Sequence, residues 1–449
     1  MSESQCVTER LAAQILQYPT EALSAAVAHK AIDCVLDNVA SCLAGVSARP
    51  AISARQVAYS VFANGDAPIW FTQRRLSVAG ASWCNAMAAS SLDFDDGHRL
   101  ARGHPGSAIV PAVLAQASRA RSSTPQILAA IAMGYEVAIR SAAAQQFEKT
   151  QTYQSGRWAG LGVVAACGRL VGLDSDQLSN ALAISGVWAP NQQANGSSGY
   201  ARQTGNWAKE GIPISTVQAL MAIDLSRDRF TGPKDMLDHT SHYDYRPPIG
   251  DALEPTLILE TYFKRYACCR YVHPALDAYC SLIEDVAVEA DSIARIEVAT
   301  FAWALRLANK LTPDNLVEVQ YSLPFCLAAL VLRGPAALSP ITEDLLHDDR
   351  VPALAARIKL NVCPTIDQRF PRETLAKVRV TFNTGDVLEN PSPIGPTDLS
   401  RQDVRRKFLD LASGRISEIQ CQRLLDAVDP EHCELGKLQR VLAQTSLID

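Results

Sequence analysis

Leu76-Ser-Val-Ala-Gly-Ala-Ser-Trp-Cys-Asn-Ala-Met-Ala-Ala-Ser-Ser91 leads into Asp93-Phe-Asp-Asp-Gly-His-Arg-Leu-Ala-Arg-Gly-His-Pro-Gly-Ser107, which leads into Ala108-Ile-Val-Pro-Ala-Val-Leu-Ala-Gln-Ala117. The outer runs read as apolar helices of small side chains. The middle run places three carboxylates, two imidazoles and two guanidinium groups in the connection between them. Burying that much polarity is costly unless a ligand or a reaction uses it. A plainer reading makes it a capped helix-to-helix turn, with aspartates at helix ends and histidines satisfied locally. The density of titratable groups favours a site.

The helical texture extends outward in both directions. Residues 8 to about 265 read as almost wholly helical. Pro19 to Gly45 carries apolar positions at helical spacing, with Gly45 where a C-terminal stop belongs. Thr124-Pro125 opens a helix through Ile127, Leu128, Ile131 and Val137, and Trp158–Val171 and Asp176–Val187 form a further pair. Their small residues permit close helix-on-helix approach. Near Pro274 the pattern changes. Ser292–Thr300 and Leu375–Phe382 alternate as strands do, Asn383-Thr-Gly-Asp386 turns into Val387–Glu389, and Ile358–Val362 is another strand candidate. From Ser400 the chain is helical again. The fold class is therefore mainly α: a large all-helical bundle domain built from both chain ends (1–268 with 398–449), plus a smaller α+β lid domain (269–397).

Composition bounds the function. A chain of 449 residues is too long for one ordinary core. With 48% hydrophobic and 20% charged residues it has the make-up of a soluble globular protein. A net charge of -5 gives no general attraction for nucleic acid or an anionic membrane, so an anionic substrate needs a local basic pocket. No apolar run reaches the roughly 18 residues of a spanning helix. The start of the chain has no signal-peptide pattern. The 12 cysteines are scattered without CxxC pairs, which points to free thiols in a reducing, cytoplasmic compartment.

Four clusters could do chemistry. Asp93 and His104 belong to the first. Tyr153-Gln-Ser-Gly-Arg157 precedes a helix, where the backbone N–H of Ser155 or Gly156 could seat an anion. Gly199–Gly211 is glycine-punctuated and carries Arg202, Gln203 and Lys209. Phe263–Pro274 holds possible cations at Lys264, Arg265, Arg270 and His273. Buried lysine and histidine can be tuned to move protons near neutral pH, and arginine grips carboxylates through paired hydrogen bonds. The combination suggests a small di- or tricarboxylic acid that loses a proton at its α-carbon. Each residue also has an ordinary reading: a solvated lysine, an arginine capping carbonyls, or a core tyrosine. No GxGxxG, P-loop, HExxH or GxSxG motif occurs. His98 and His104 with Asp95 and Asp96 match no strong metal template, so neither cofactor nor metal is expected.

With those clusters in place, the chain resembles the MmgE/PrpD family, which contains 2-methylcitrate dehydratases, cis-aconitate decarboxylases and iminodisuccinate epimerase. The matching motifs are Leu92-Asp-Phe-Asp-Asp-Gly-His98 with His104-Pro105, Trp207-Ala-Lys209 followed by Gly211, and Tyr266-Ala-Cys-Cys269 with His273-Pro274. The resemblance implies a homodimer, a cleft between the two domains, and catalysis without metal, flavin or pyridoxal phosphate. Carried over by position, it makes Asp93, His104, Lys209 and His273 active-site residues. Ser155, Arg157, Arg202, Gln203 and Arg270 are the candidates for holding substrate. This chain departs from the dehydratase and decarboxylase pattern in having Gly97 for a threonine and Tyr153 for a histidine, and Phe325 for a tyrosine, with Tyr321 close by. Dehydration needs an acid for the departing hydroxyl, whereas epimerisation needs proton carriers on two faces, which Lys209 or His273 and Tyr153 could supply. The leading expectation is an iminodisuccinate-type epimerase. The alternatives are a lyase of the same family and a non-catalytic binding protein.

Overall fold

The computed structural model describes residues 5–146, 154–190, 206–245, 253–286 and 288–448. Within them the helices of eight or more residues are α1 (Val7–Gln17), α2 (Ala25–Gly45), α3 (Arg49–Val61), α4 (Val78–Ser90), α5 (Gly106–Ala120), α6 (Thr124–Ala144), α7 (Ala159–Leu170), α8 (Ser175–Trp188), α9 (Ile212–Arg227), α10 (His273–Leu282), α11 (Leu323–Arg333), α12 (Arg401–Ala412), α13 (Glu418–Ala427) and α14 (Leu435–Leu442). Their starts follow local chemistry. Ser24 and Ser77 accept N–H groups at the heads of α2 and α4, and Ser123 with Gln126, Asp174 with Gln177 and Ser400 with Asp403 form capping boxes.

The helices of the first half pack through small residues. α6 lies along α7, and the pair closes at Gly134 and Gly162. A Cβ on Gly162 would come 2.4 Å from the carbonyl oxygen of Gly134, and one on Gly134 would come 2.9 Å from that of Gly162. Two backbones this close leave no room for any side chain. α6 is long and apolar enough to cross a membrane, contrary to the expectation from uninterrupted runs, but 83% of its apolar window is buried inside the protein. It is a core helix, wrapped by α2, α5 and α7.

The tail returns to this bundle. α12 packs on α2, where Arg401 binds Asp33 (2.7 and 3.1 Å) and Lys407 binds Asp37 at 2.8 Å. Leu435 N–H donates to Thr124 Oγ1 at 3.0 Å, and Gln439 Nε2 donates to the Leu114 carbonyl, tying α14 to α5 and α6.

The first half is not purely helical. A hairpin of β1 (Ala67–Ile69) and β2 (Arg74–Leu76) precedes α4. Its turn uses positive φ at Phe71 and Gln73, and Asn85 of α4 bonds both Trp70 N–H and the Pro68 carbonyl, at 3.0 Å each. Strands of three residues are too short for alternation to show in sequence.

The second sheet has the order β4-β3-β5-β6, from β3 (Ile293–Thr300), β4 (Ile358–Val362), β5 (Ala376–Phe382) and β6 (Val387–Glu389). β3 runs parallel to β4 and antiparallel to β5. Ile293, Ile296, Val298, Val378 and Val380 are fully buried, with α10 covering β5. One continuous apolar core joins these strands to the helices, and the division at 268/269 and 397/398 stays a proposal.

Candidate active site

Asp93 sits three residues past the end of α4 with φ 53°, a left-handed turn that aspartate tolerates better than most side chains. The turn points its carboxylate inward, at 1% exposure. The carbonyls that α4 leaves without helical partners are claimed from afar. Lys209 Nζ donates to Ser90 O at 2.9 Å and Gln320 Nε2 to Ser91 O at 2.8 Å. A cation at a helix C-terminus is where the helix dipole favours it.

Three cations converge on Asp93. His104 Nε2 lies 3.1 Å and Lys209 Nζ 3.5 Å from Oδ1, while Lys264 Nζ lies 3.1 Å from Oδ2. Burial alone would raise the carboxyl's pKa, but Lys209, Lys264 and His104 outweigh it and hold Asp93 well below the usual range. His104 shows the reciprocal effect. Burial opposes its charge, yet Asp95 and Asp93 outweigh that and raise it to about 10, so it is an imidazolium at neutral pH. Its Nδ1–H donates to the Asp96 carbonyl at 2.7 Å and faces Asp95 Oδ1 at 3.5 Å. Lys264 is fully buried, and Asp93 and Asp95 overcome its desolvation to keep it charged. Tyr321, also buried, leaves its hydroxyl without a hydrogen bond among the described residues. Burial, then Asp93 and Glu210, raise its pKa, so it is a protonated donor.

The neighbours of Asp93 in the motif are bonded locally. Asp96 is a helix cap: its Oδ1 accepts Gly106 N–H at 3.0 Å at the head of α5, and its Oδ2 accepts the Tyr135 hydroxyl at 2.5 Å. Burial and Asp37 raise it to about 7. Asp95 accepts the Ser107 hydroxyl. His98 is satisfied by the Leu257 carbonyl at 3.1 Å and by Leu100 N–H, and burial lowers it to about 4, so it is neutral. Asp96 and His98 are thus taken up in local hydrogen bonds, as the capped-turn reading has it, whereas Asp93 and His104 pair with each other beside the lysines.

Two cavities meet at this cluster. The first is bordered by Asp93, His104, Glu210, Tyr262, Arg270 and Tyr321, with Tyr271, Trp303 and Phe370 on an aromatic side. The second is bordered by Asp93, His104, Lys209 and Glu210 on one side and by Trp83, Met87 and Trp207 on the other. Asp93, Asp95 and His104 bring ligand atoms within 4.8 Å of one another, a spacing that could hold a metal ion. Both Asp93 oxygens already face ammonium or imidazolium groups, however, so an added cation would meet positive charge. The donor set suits an anion better.

These motifs lie in a chain whose residues 9–244 match the MmgE/PrpD N-terminal domain and whose residues 266–430 match the MmgE/PrpD C-terminal domain. The chain belongs to the MmgE/PrpD family. Among curated proteins it is similar to human cis-aconitate decarboxylase, 24% identical over 465 residues that cover 96% of this chain and 93% of that enzyme. Tyr262 and Lys264 fall between the two MmgE/PrpD segments, so the family match by itself does not point to them.

Of the residues anticipated from sequence, Asp93, His104 and Lys209 come together, and Arg270 borders the first cavity. Ser155 lies just behind. Its Oγ accepts His104 N–H at 3.0 Å and donates to Glu210 Oε2 at 2.6 Å. The backbone groups expected to seat a substrate anion are already taken, Ser155 N–H by Glu210 Oε2 (3.3 Å) and Gly156 N–H by Glu210 O (2.9 Å). Arg157 reaches Gln145 at 3.4 Å and is among the lining residues of neither cavity. His273 begins α10 fully buried, with Nε2 3.3 Å from Cys268 O and its ring edge-on to Tyr266. Burial, Arg270 and Lys264 hold it well below the usual histidine range, so it is neutral, and it borders neither cavity. Tyr153, Arg202 and Gln203 lie outside the described residues. Lys264 and Glu210 did not stand out in sequence; the first was one of four nearby cations, and only folding selects among them.

Proposed function

We propose that this protein is an acid–base lyase of small di- or tricarboxylic acids, removing carbon dioxide from a carbon chain whose neighbouring carboxylate holds the resulting charge. The observation that carries this reading is the convergence of His104, Lys209 and Lys264 on Asp93 beside a cavity. Three cations and the protonated Tyr321 phenol favour an anionic ligand and the negative charge that develops on it. Decarboxylation needs no base at the outset. The C–C bond breaks, carbon dioxide leaves, the electron pair stays on the substrate carbon, and the His104 imidazolium supplies a proton to that carbon. His104 then regains its proton from water, with Asp95 and Asp93 restoring its charge. The similarity to a cis-aconitate decarboxylase supports the same class. A homodimer in a reducing, cytoplasmic setting belongs to this reading, and twelve free cysteines support the setting.

Epimerisation is the second reading. Glu210, a carboxylate that borders both cavities together with His104, offers a base to match that acid. Incubation in deuterated water with cis-aconitate, citrate, 2-methylcitrate and iminodisuccinate separates the readings. Release of carbon dioxide, with one deuterium in the product and loss of both in His104→Gln, is the expected result. Deuterium at the α-carbon without loss of carbon dioxide or water would replace it with an epimerase. Loss of water alone would make it a hydro-lyase, and no reaction with bound ligand a binding protein.

A further inference from the structure

Gly97 and Tyr262 are locked together. Gly97 N–H donates to Tyr262 O at 3.0 Å and Tyr262 N–H to Gly97 O at 2.9 Å. A Cβ at position 97 would lie 2.5 Å from Tyr262 Oη and 2.6 Å from its Cζ. The phenol therefore fills the space that any other side chain at 97 would need, at the edge of the cavity that holds Asp93 and His104. Its hydroxyl makes no hydrogen bond with a described residue, and burial keeps it protonated as a donor.

Arg270 lies across this ring, its guanidinium 4.1 Å from the ring centroid. Nη2 is held by Asp398, while Nη1 is buried without a hydrogen-bond partner among the described residues. The side chain is only 8% exposed, and it borders the same cavity. Leaving a buried guanidinium N–H unpaired is costly unless a ligand completes it. One arm is fixed by protein and the other is left over, beside a phenol that also lacks an acceptor.

We propose that Arg270 Nη1 and the Tyr262 hydroxyl form a carboxylate subsite, separate from the Asp93 cluster, that holds a second carboxylate of the substrate and so selects poly- over monocarboxylic acids. This rests on the reading of the cavity as a polycarboxylate site. Gly97 is the permissive element, because it lets the phenol reach the cavity wall. Asp398 is the positioning element, because it fixes the rotation of the guanidinium.

The test is calorimetric titration of the full chain with tricarballylate and with succinate, polycarboxylates that have no reactive double bond. Wild-type protein binds both. Tyr262→Phe and Arg270→Lys each weaken tricarballylate by roughly tenfold, the scale of one charge-assisted hydrogen bond. Gly97→Ala, whose methyl displaces the phenol, reproduces the Tyr262→Phe loss. With a turned-over substrate the same changes raise KM and leave kcat within about twofold, the mark of binding shared by ground and transition states. Arg265→Ala, on the exposed neighbour, keeps wild-type affinity. Wild-type affinity in both Tyr262→Phe and Gly97→Ala overturns the subsite while leaving the general reading in place, and it decides the matter even should Arg270→Lys unfold. A wild-type protein that binds neither acid overturns both.

Discussion

Lys264 Nζ lies 3.1 Å from Asp93 Oδ2, with no solvent exposure on the lysine and 2% on the aspartate side chain. Neither charge is affordable alone in such a place; each exists because the other does. His104 and Lys209 share the opposite oxygen, so the carboxylate organises three cations around a cavity that has little other reason to be polar.

Lys264→Met removes one of these cations and leaves Asp93 to the other two. Turnover should fall by about 100-fold, the usual effect of losing one preorganised charge. Unfolding free energy should drop by about 3 kcal/mol. Arg265→Ala, at 45% exposure, is the neighbouring control and should change turnover by less than about twofold. Steady-state kinetics beside urea unfolding checks both.

The charge on His104 sets a pH dependence. Its folded value of about 10 lies above the unfolded value, so its protonation stabilises the fold. That contribution is fully present below about pH 6.5 and is lost as pH rises through about 10. Turnover that uses the same proton declines on the alkaline side. Asp95→Asn removes the strongest single charge attraction on His104, so the alkaline limb of the kcat profile should move toward neutrality by about one pH unit or more. A limb that stays in place would mean that the acid is not His104.

Lys407 and Asp37 form another buried pair, at 2.8 Å, with Lys407 also donating to Phe94 O at 2.6 Å. Lys407→Met leaves Asp37, whose pKa burial already raises, without its partner. Stability should fall by about 3–5 kcal/mol, read as a lower urea midpoint. Asp37→Asn in the same background should recover part of it, since the stranded carboxyl group is then gone.

Gly162→Ala tests the α6–α7 contact. The new methyl would meet the Gly134 carbonyl at 2.4 Å, and the backbones must separate. A loss of about 1–3 kcal/mol is expected, with no change in ligand affinity per folded molecule.

Periodicity carried most of the fold. The strands at 293–300, 358–362, 376–382 and 387–389 alternate or end in turn residues, and each is found within a residue or so of its expected bounds. The hairpin at 67–76 escaped because three-residue strands have no period, and Asn85, nine residues beyond it, supplies much of its backbone bonding. Asp93 and His104 stood out where chemistry is dense in sequence, and the structure brings them into contact. The reading was less selective where several like charges lie within ten residues on irregular backbone. Of Lys264, Arg265, Arg270 and His273 the sequence reading selected Arg270 and His273; the fold sends Lys264 to Asp93, Arg270 to the cavity wall, Arg265 outward and His273 into the core. Ser155 and Gly156 looked like an anion seat, but Glu210 takes both N–H groups, that of Ser155 with its carboxylate and that of Gly156 with its backbone carbonyl.

Lys407 has a consequence for how this protein is made. A nascent chain can emerge through Asp37, Asp93 and His104 long before the helix carrying Lys407 has been translated. Until then the Asp37 carboxylate and the Phe94 carbonyl, one residue from Asp93, lack the ammonium group that binds both in the fold, and the loop between α4 and α5 lacks its anchor. That loop therefore takes its final form only once a residue 313 positions further along than Phe94 has been added.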